Sequence, residues 1–158
     1  MKKKAIVLLS ALLVLITFIS CDIVYSSTIS GSVKINKAEN ISVTKVDVYA
    51  YMDKSERDRD LNNDGNPALY DDWTSASNSG SQFPGSQNDE SAYTFSLNNF
   101  MWKESGSEFG DVGARGECYL LVLVEYKDGE ESKTKKVDAV APLVSDASRT
   151  VTITVDLL

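Results

Sequence analysis

The sequence predicts an all-β chain: a single antiparallel β-sandwich of about six to eight strands, following an N-terminal signal helix and carrying one long loop insertion. Three observations predict it. Several segments alternate apolar and polar residues with a period of two, turn-forming Gly, Asn, Asp and Pro separate them, and few windows repeat apolar residues at the helical spacing of three and four. One run of such strands, without alternating helices, is the pattern of two packed sheets.

The chain opens with Lys2, Lys3 and Lys4, followed by sixteen uncharged residues from Ala5 to Ser20 and then Cys21. A basic start, an apolar stretch and a small residue before the processing point form a bacterial export signal. Phe18-Ile19-Ser20-Cys21 resembles the lipobox of bacterial lipoproteins, with Phe18 where Leu is usual. The resemblance covers residues 1–21 and implies that diacylglycerol is joined to the Cys21 thiol, with further acylation such as palmitate, and that Cys21 becomes the mature N-terminus. It also implies attachment to a membrane of the cell envelope. Asp22 resembles the residue that retains lipoproteins at the inner membrane in some sorting systems, a rule that differs between bacterial groups and leaves the choice of inner or outer membrane open. An ordinary cleaved signal and an uncleaved anchor helix are the alternatives. The first lacks an A-x-A site, and the second falls short of the roughly 20 residues that span a bilayer.

Residues 1–20 are thus read as signal peptide, 21–27 as a lipid-attached tether and 28–158 as the sandwich, with an insertion loop at 53–91. Loss of the signal leaves 138 of 158 residues, enough for one domain with its own core. It removes three lysines, so 13 Lys and Arg face 23 Asp and Glu and the net charge moves from −7 to −10. Nucleic acid is excluded as a partner, because phosphate binding needs clustered Lys and Arg.

The first strand is expected at Thr28 to Asn36, with Ile29, Gly31, Val33 and Ile35 on one face. The second runs from Ile41 to Met52, where Val46, Val48, Ala50 and Met52 alternate with Asp47, Tyr49 and Tyr51. Tyr93 to Leu97 is a third. Glu117 to Tyr126 is apolar on both faces and so reads as a central strand. Asp128-Gly129 then supplies the positive φ of a tight hairpin, and Glu131 to Val140 returns with Lys133, Lys135 and Lys136 as the charges of an edge strand. Arg149 to Leu157 closes the domain with Val151, Ile153 and Val155 opposite Thr150, Thr152 and Thr154. Gly31-Ser32-Val33, Val46-Asp47-Val48, Tyr93-Thr94-Phe95 and Tyr119-Leu120-Leu121-Val122 are weakly similar to transthyretin-like and carboxypeptidase-regulatory-like sandwiches. The connection of about forty residues between the second and third elements departs from those domains, and the similarity implies a topology and no activity.

That connection holds Asp60-Leu61-Asn62-Asn63-Asp64-Gly65 with Asp71 six residues on. The spacing D-x-N-x-D-G-x₅-D matches a calcium loop, in which oxygens at positions 1, 3 and 5 converge on the ion, glycine turns the chain and a carboxylate at 12 closes the cage. Asp60, Asn62, Asp64, the Asn66 carbonyl and Asp71, with Asp72 beside it, are the candidate Ca²⁺ ligands. The preceding strand and Pro67 argue against the paired helices of an EF-hand, so the resemblance is to the loop alone. The competing reading is a solvated acidic turn.

Tyr70, Trp73 and Trp102 fall outside the expected strands, where aromatics either plug the end of a sandwich or form a ligand surface. Catalysis finds no constellation. The chain has no histidine, which removes the usual base and both His-dependent nucleophile systems, and neither phosphate-binding glycine motif occurs. Lipidation of Cys21 leaves Cys118 as a single thiol, read as buried packing rather than a disulfide partner. Two functions follow: a lipid-anchored binding or structural module of the envelope whose loops meet a glycan, matrix protein or envelope protein, or an accessory lipoprotein subunit that pairs with a larger complex by strand addition.

Overall fold

The computed structural model describes residues 24–78, 91–103, 115–145 and 147–157. The signal segment 1–20, Cys21 and the part of the insertion from 79 to 90 lie outside them. Eight strands and one helix follow in order: β1 Val24–Lys37, β2 Ile41–Tyr51, α1 Lys54–Asn62, β3 Asp72–Ser75, β4 Ser77–Asn78, β5 Ser91–Lys103, β6 Arg115–Asp128, β7 Glu131–Val144 and β8 Ser148–Leu157. They form two four-stranded sheets, ordered β4-β5-β1-β8 and β3-β2-β6-β7. The architecture is the expected all-β sandwich. One pairing is parallel, β1 with β8, because the chain leaves β7 at the edge of one sheet and enters the other beside its first strand.

The period-two faces meet between the sheets. Ile29, Val33 and Ile35 from β1, Val46, Val48 and Ala50 from β2, and Cys118, Leu120, Val122 and Val124 from β6 are almost wholly buried there, with Ile153, Val155 and Leu157 from β8. Each such aliphatic side chain contributes about 1.5–3 kcal/mol relative to exposure. Gly31 belongs to this face because nothing larger fits: a Cβ there would lie 2.2 Å from the Val151 carbonyl oxygen and 2.8 Å from the Phe95 ring.

Two bulges set the phase of the alternation. Thr44 is the extra residue between the pairs Val43↔Tyr126 and Lys45↔Glu125, and its hydroxyl donates to the Glu125 carbonyl at 3.0 Å. Opposite Thr28 the register of β5 slips by one, where Asn99 takes φ 57°, a left-handed conformation that Asn tolerates. After this slip Phe100 and Trp102 both point inward, each 2 % exposed.

β5 therefore runs on to Lys103, beyond the expected Leu97 and into what the sequence suggested was a loop. At the N-terminus β1 begins at Val24 rather than at 28. Ser27 is buried, donates to the Val144 carbonyl at 2.8 Å and accepts from the Trp102 indole at 2.9 Å, so this stretch is strand and not tether. The β6–β7 hairpin forms where Asp128-Gly129 announced it, with Asp128 paired to Glu131 and Gly129 at φ 64°.

The largest correction concerns the insertion 53–91, which carries helix α1 and the short strands β3 and β4 on either side of a loop at 63–71. Asp53 caps α1 by accepting from the Ser55 amide at 2.7 Å, Glu56 lies in the first turn and Arg59 in the last. α1 lies over the outward face of the β3-β2-β6-β7 sheet. It closes a second, smaller apolar cluster of Tyr49, Tyr51, Leu121 and Leu123, against which Leu61, Tyr70 and Tyr119 pack. β6 is thus buried on both faces, one by the opposite sheet and the other by this cover.

Candidate functional site

The acidic loop and the aromatics around it both belong to this outer face. α1 is pinned to the edge strand β7 by Arg57, a 3 % exposed residue whose Nη1 donates to Asp138 Oδ2 at 2.6 Å, with its guanidinium 5.8 Å from the centre of the Tyr119 ring. Its Nε donates to Asp58 Oδ1 at 2.8 Å. Past the helix the chain turns, and the carbonyl oxygens of Asp60, Asn63 and Gly65 converge on one point. Lys136 Nζ occupies that point, donating to them at 2.6, 2.6 and 2.7 Å.

The candidate calcium ligands therefore have other work. Asp60 is 3 % exposed, and its Oδ2 accepts from the Tyr51 hydroxyl at 3.0 Å and from the amides of Ala68 and Leu69 at 2.9 and 2.8 Å. Asn62 donates to the Asp58 carbonyl, closing the last turn of α1. Asp71 Oδ2 accepts from the Met52 amide at 2.7 Å, tying the end of the loop back to β2. Asp64 and Asn66 are exposed.

Calcium needs six to eight oxygens converging on a single centre. Asp60, Asn62 and Asp71 are committed to partners at separate places, and the centre on which the loop's carbonyl oxygens converge is filled by an ammonium whose charge repels a second cation. The donor set does not fit the ion expected from the spacing. Among the described residues no three His, Cys, Asp or Glu side chains form a metal-holding group.

Of the three aromatics offered as a ligand surface, the structure brings two together and separates the third. Trp102 is core, packed 5.0 Å from the Tyr25 ring, and is no part of a surface. Tyr70 and Trp73 flank Tyr49 on the outer face: Tyr49 and Tyr70 are 5.0 Å apart and tilted, and Tyr49 and Trp73 lie 6.0 Å apart and stacked at 20°. The pairing Tyr49↔Trp73 across β2 and β3 holds the stack in place. Trp73 is 46 % exposed, on an aromatic bed rather than alone.

Two pairs further along the same strands, at Asp47↔Ser75, lies a buried carboxylate. Asp47 Oδ1 accepts from the Ser75 hydroxyl at 2.7 Å, and Oδ2 accepts from the Tyr49 hydroxyl at 3.3 Å and pairs with Lys45 Nζ at 2.6 Å. Hydrogen bonding to Asp47 raises the Lys45 pKa. Burial, and then the Asp47 charge, push the Tyr49 phenol up to about 12. The Lys45 and Asp47 charges cancel locally.

Ser75 also faces a shallow groove of about 370 Å³ along the seam between the two sheets, lined by Thr74, Ser75, Ser77, Thr94, Phe95 and Ser96. Five of these six residues carry hydroxyls and none is charged. Sequence reasoning missed this groove. Its residues come from three strands, and only the alternation in β5, which turns Thr94 and Ser96 away from Phe95 and Leu97, hinted at it. Cys118 lies elsewhere, in the core, where burial pushes its thiol up to about 12. A scan of protein families and searches of curated proteins and of solved structures find no match to this chain.

Proposed function

We propose that the chain is a lipid-anchored module of the bacterial cell envelope, exported by residues 1–20, acylated on Cys21, and binding an envelope component through the outer face that carries Tyr70 and Trp73. The observation that carries the binding role is the half-exposed Trp73 ring on a fixed aromatic bed. Single exposed aromatics need no function, but this one is held by the stack on Tyr49 and a two-strand ladder, with α1 and the Lys136 clamp securing the neighbouring chain. A rigid aromatic loses little conformational freedom on binding, which favours it as an anchor.

The lipid anchor rests on Lys2–Lys4, the apolar stretch and Ser20-Cys21. The short distance from Cys21 to Val24, where β1 begins, leaves Asp22 and Ile23 between lipid and strand. The test is intact-mass analysis of the membrane fraction with and without globomycin. A mature species starting at Cys21 and carrying diacylglycerol is expected, with the precursor accumulating under the inhibitor. A soluble, unacylated product would remove the anchoring half of the proposal.

A further inference from the structure

The groove whose lining starts at Thr74, one residue past Trp73 in β3, has a chemistry that narrows the ligand. We infer that β3 and the adjoining seam form a binding site for a neutral glycan, with one pyranose ring stacked on Trp73 and the chain continuing past the hydroxyls of Thr74, Ser75, Ser77, Thr94 and Ser96. This rests on the reading of the outer face as a binding surface and names its ligand class.

A sugar ring presents an apolar face of C–H groups and a periphery of hydroxyls. Trp73 offers the apolar partner, and its stack on Tyr49 fixes the ring plane before a ligand arrives. The groove next to it offers hydroxyls, each both donor and acceptor, which match a periphery of the same kind. Ser75 joins the two parts, since it lines the groove and donates to Asp47, leaving its oxygen lone pairs to accept from a ligand.

Charge argues for a neutral chain. No lining residue is ionised, and the carboxylate that Ser75 touches, Asp47, is paired with Lys45 at 2.6 Å. An anionic polymer would find no free cation among the groove residues, and the surrounding excess of Asp and Glu repels it. A protein partner would need more apolar contact than this groove gives, because five of its six lining residues carry hydroxyls. From Trp73 to Ser77 the chain can extend to roughly 13 Å at about 3.3 Å per residue, longer than one sugar ring. An oligosaccharide is therefore the occupant, and affinity is expected to rise with its length.

The experiment uses the mature protein solubilised from the membrane fraction. It is titrated with neutral glucan, mannan, xylan and galactan oligosaccharides of increasing length while tryptophan fluorescence is followed. Binding to at least one series is expected, with affinity rising with length and the Trp73 emission shifting. Trp73→Ala should weaken that binding about tenfold or more, and Trp73→Phe less. Thr94→Val, which leaves the aromatic stack intact, should weaken it with an unchanged melting temperature. No binding in any series, or binding indifferent to both Trp73→Ala and Thr94→Val, overturns the inference. So does a Trp73-dependent complex with an envelope protein and no glycan affinity. Acylation read by mass is independent of this: a lipidated protein without glycan binding sinks the inference alone, and an unlipidated one that binds glycan sinks only the anchoring.

Discussion

Lys136 is the residue whose role the structure changes most. Its side chain leaves an edge strand, where lysine usually serves to keep other strands away, and instead donates to three carbonyls that the end of α1 and the following turn leave unpaired. Lys136→Met keeps the stem and removes the donors, so it should cost about 1–3 kcal/mol in denaturant unfolding. Calcium at about 10⁻³ M, the weak end of extracellular loops, should leave the melting temperature of the parent unchanged; a clear rise would restore the calcium loop. Asp60→Ala strands the Tyr51 hydroxyl and two amides, at about 3 kcal/mol, and Asp60→Asn should cost less because one carbonyl acceptor survives. Cys118 gives a pH dependence. Its pKa rises from 9.0 to about 12 on burial, so the folded state holds the proton more tightly than the unfolded chain. That contribution is whole below about pH 9 and is lost as pH rises toward 12, with Tyr49, likewise pushed to about 12, adding to the loss above pH 10. Alkaline titration of stability should therefore fall through this window, and Cys118→Ala should remove its onset near pH 9 while the phenol-linked loss of Tyr49 and Tyr51 at higher pH remains; an unchanged onset in the variant would show that the thiol has no part in it.

At the scale of elements, the strands were legible and the cover over them was not. Period-two alternation has a single physical cause, one face in the core, and β1, β2, β6 and β8 obey it closely enough for their inward residues to be read directly. α1 has no such stripe. Lys54 to Asn62 contains Leu61 as its one aliphatic residue, and it is held by a cap, Arg57 and Lys136 rather than by an apolar face. Asp53 followed by Glu56 was the available signal, since an acceptor at the cap with an acid three residues on marks a helix start. The acidic loop was legible as a turn, but its spacing carried no trace of a lysine 76 residues away in sequence. Trp102 was misread because the Asn99 bulge reverses the alternation before it, which a count of residues from Leu97 does not reveal. The tightest element contact supplies its own test. Gly31 sits where β1 is pressed between β5 and β8, and a Cβ meets backbone there, which cannot swing away as a side chain can. Gly31→Ala should cost roughly 3 kcal/mol, the upper part of the overpacking range, and should loosen β8 in hydrogen exchange before the β6–β7 hairpin. Equal protection of β8 in parent and variant would contradict that order.

For the molecule as a whole, the proposed anchoring at Cys21 would set which end faces the bilayer. Asp22, Ile23 and Val24 extend at most about 11 Å, so on the proposed anchoring the end of the sandwich holding Val24 stays close to the membrane surface. That end pairs Val24 with Lys103 and Ser26 with Met101, and it carries two of the exposed apolar side chains, Val24 at 47 % and Met101 at 58 %. The 14 residues of β6 then run about 45 Å to the Gly129 turn at the other end. With the signal removed as proposed, the net charge of −10 would repel an anionic leaflet, which favours this end-on stance over one laid flat. Trp73 sits between the two ends on the outer face, which on that stance would hold it clear of the membrane surface. A nitroxide at Met101→Cys should therefore show collisions with lipid-soluble oxygen in the reconstituted lipoprotein, and one at Glu130→Cys collisions with a water-soluble nickel chelate instead. Lipid contact at both positions would mean that the sandwich lies flat, and the orientation argued from Cys21 would fall with it.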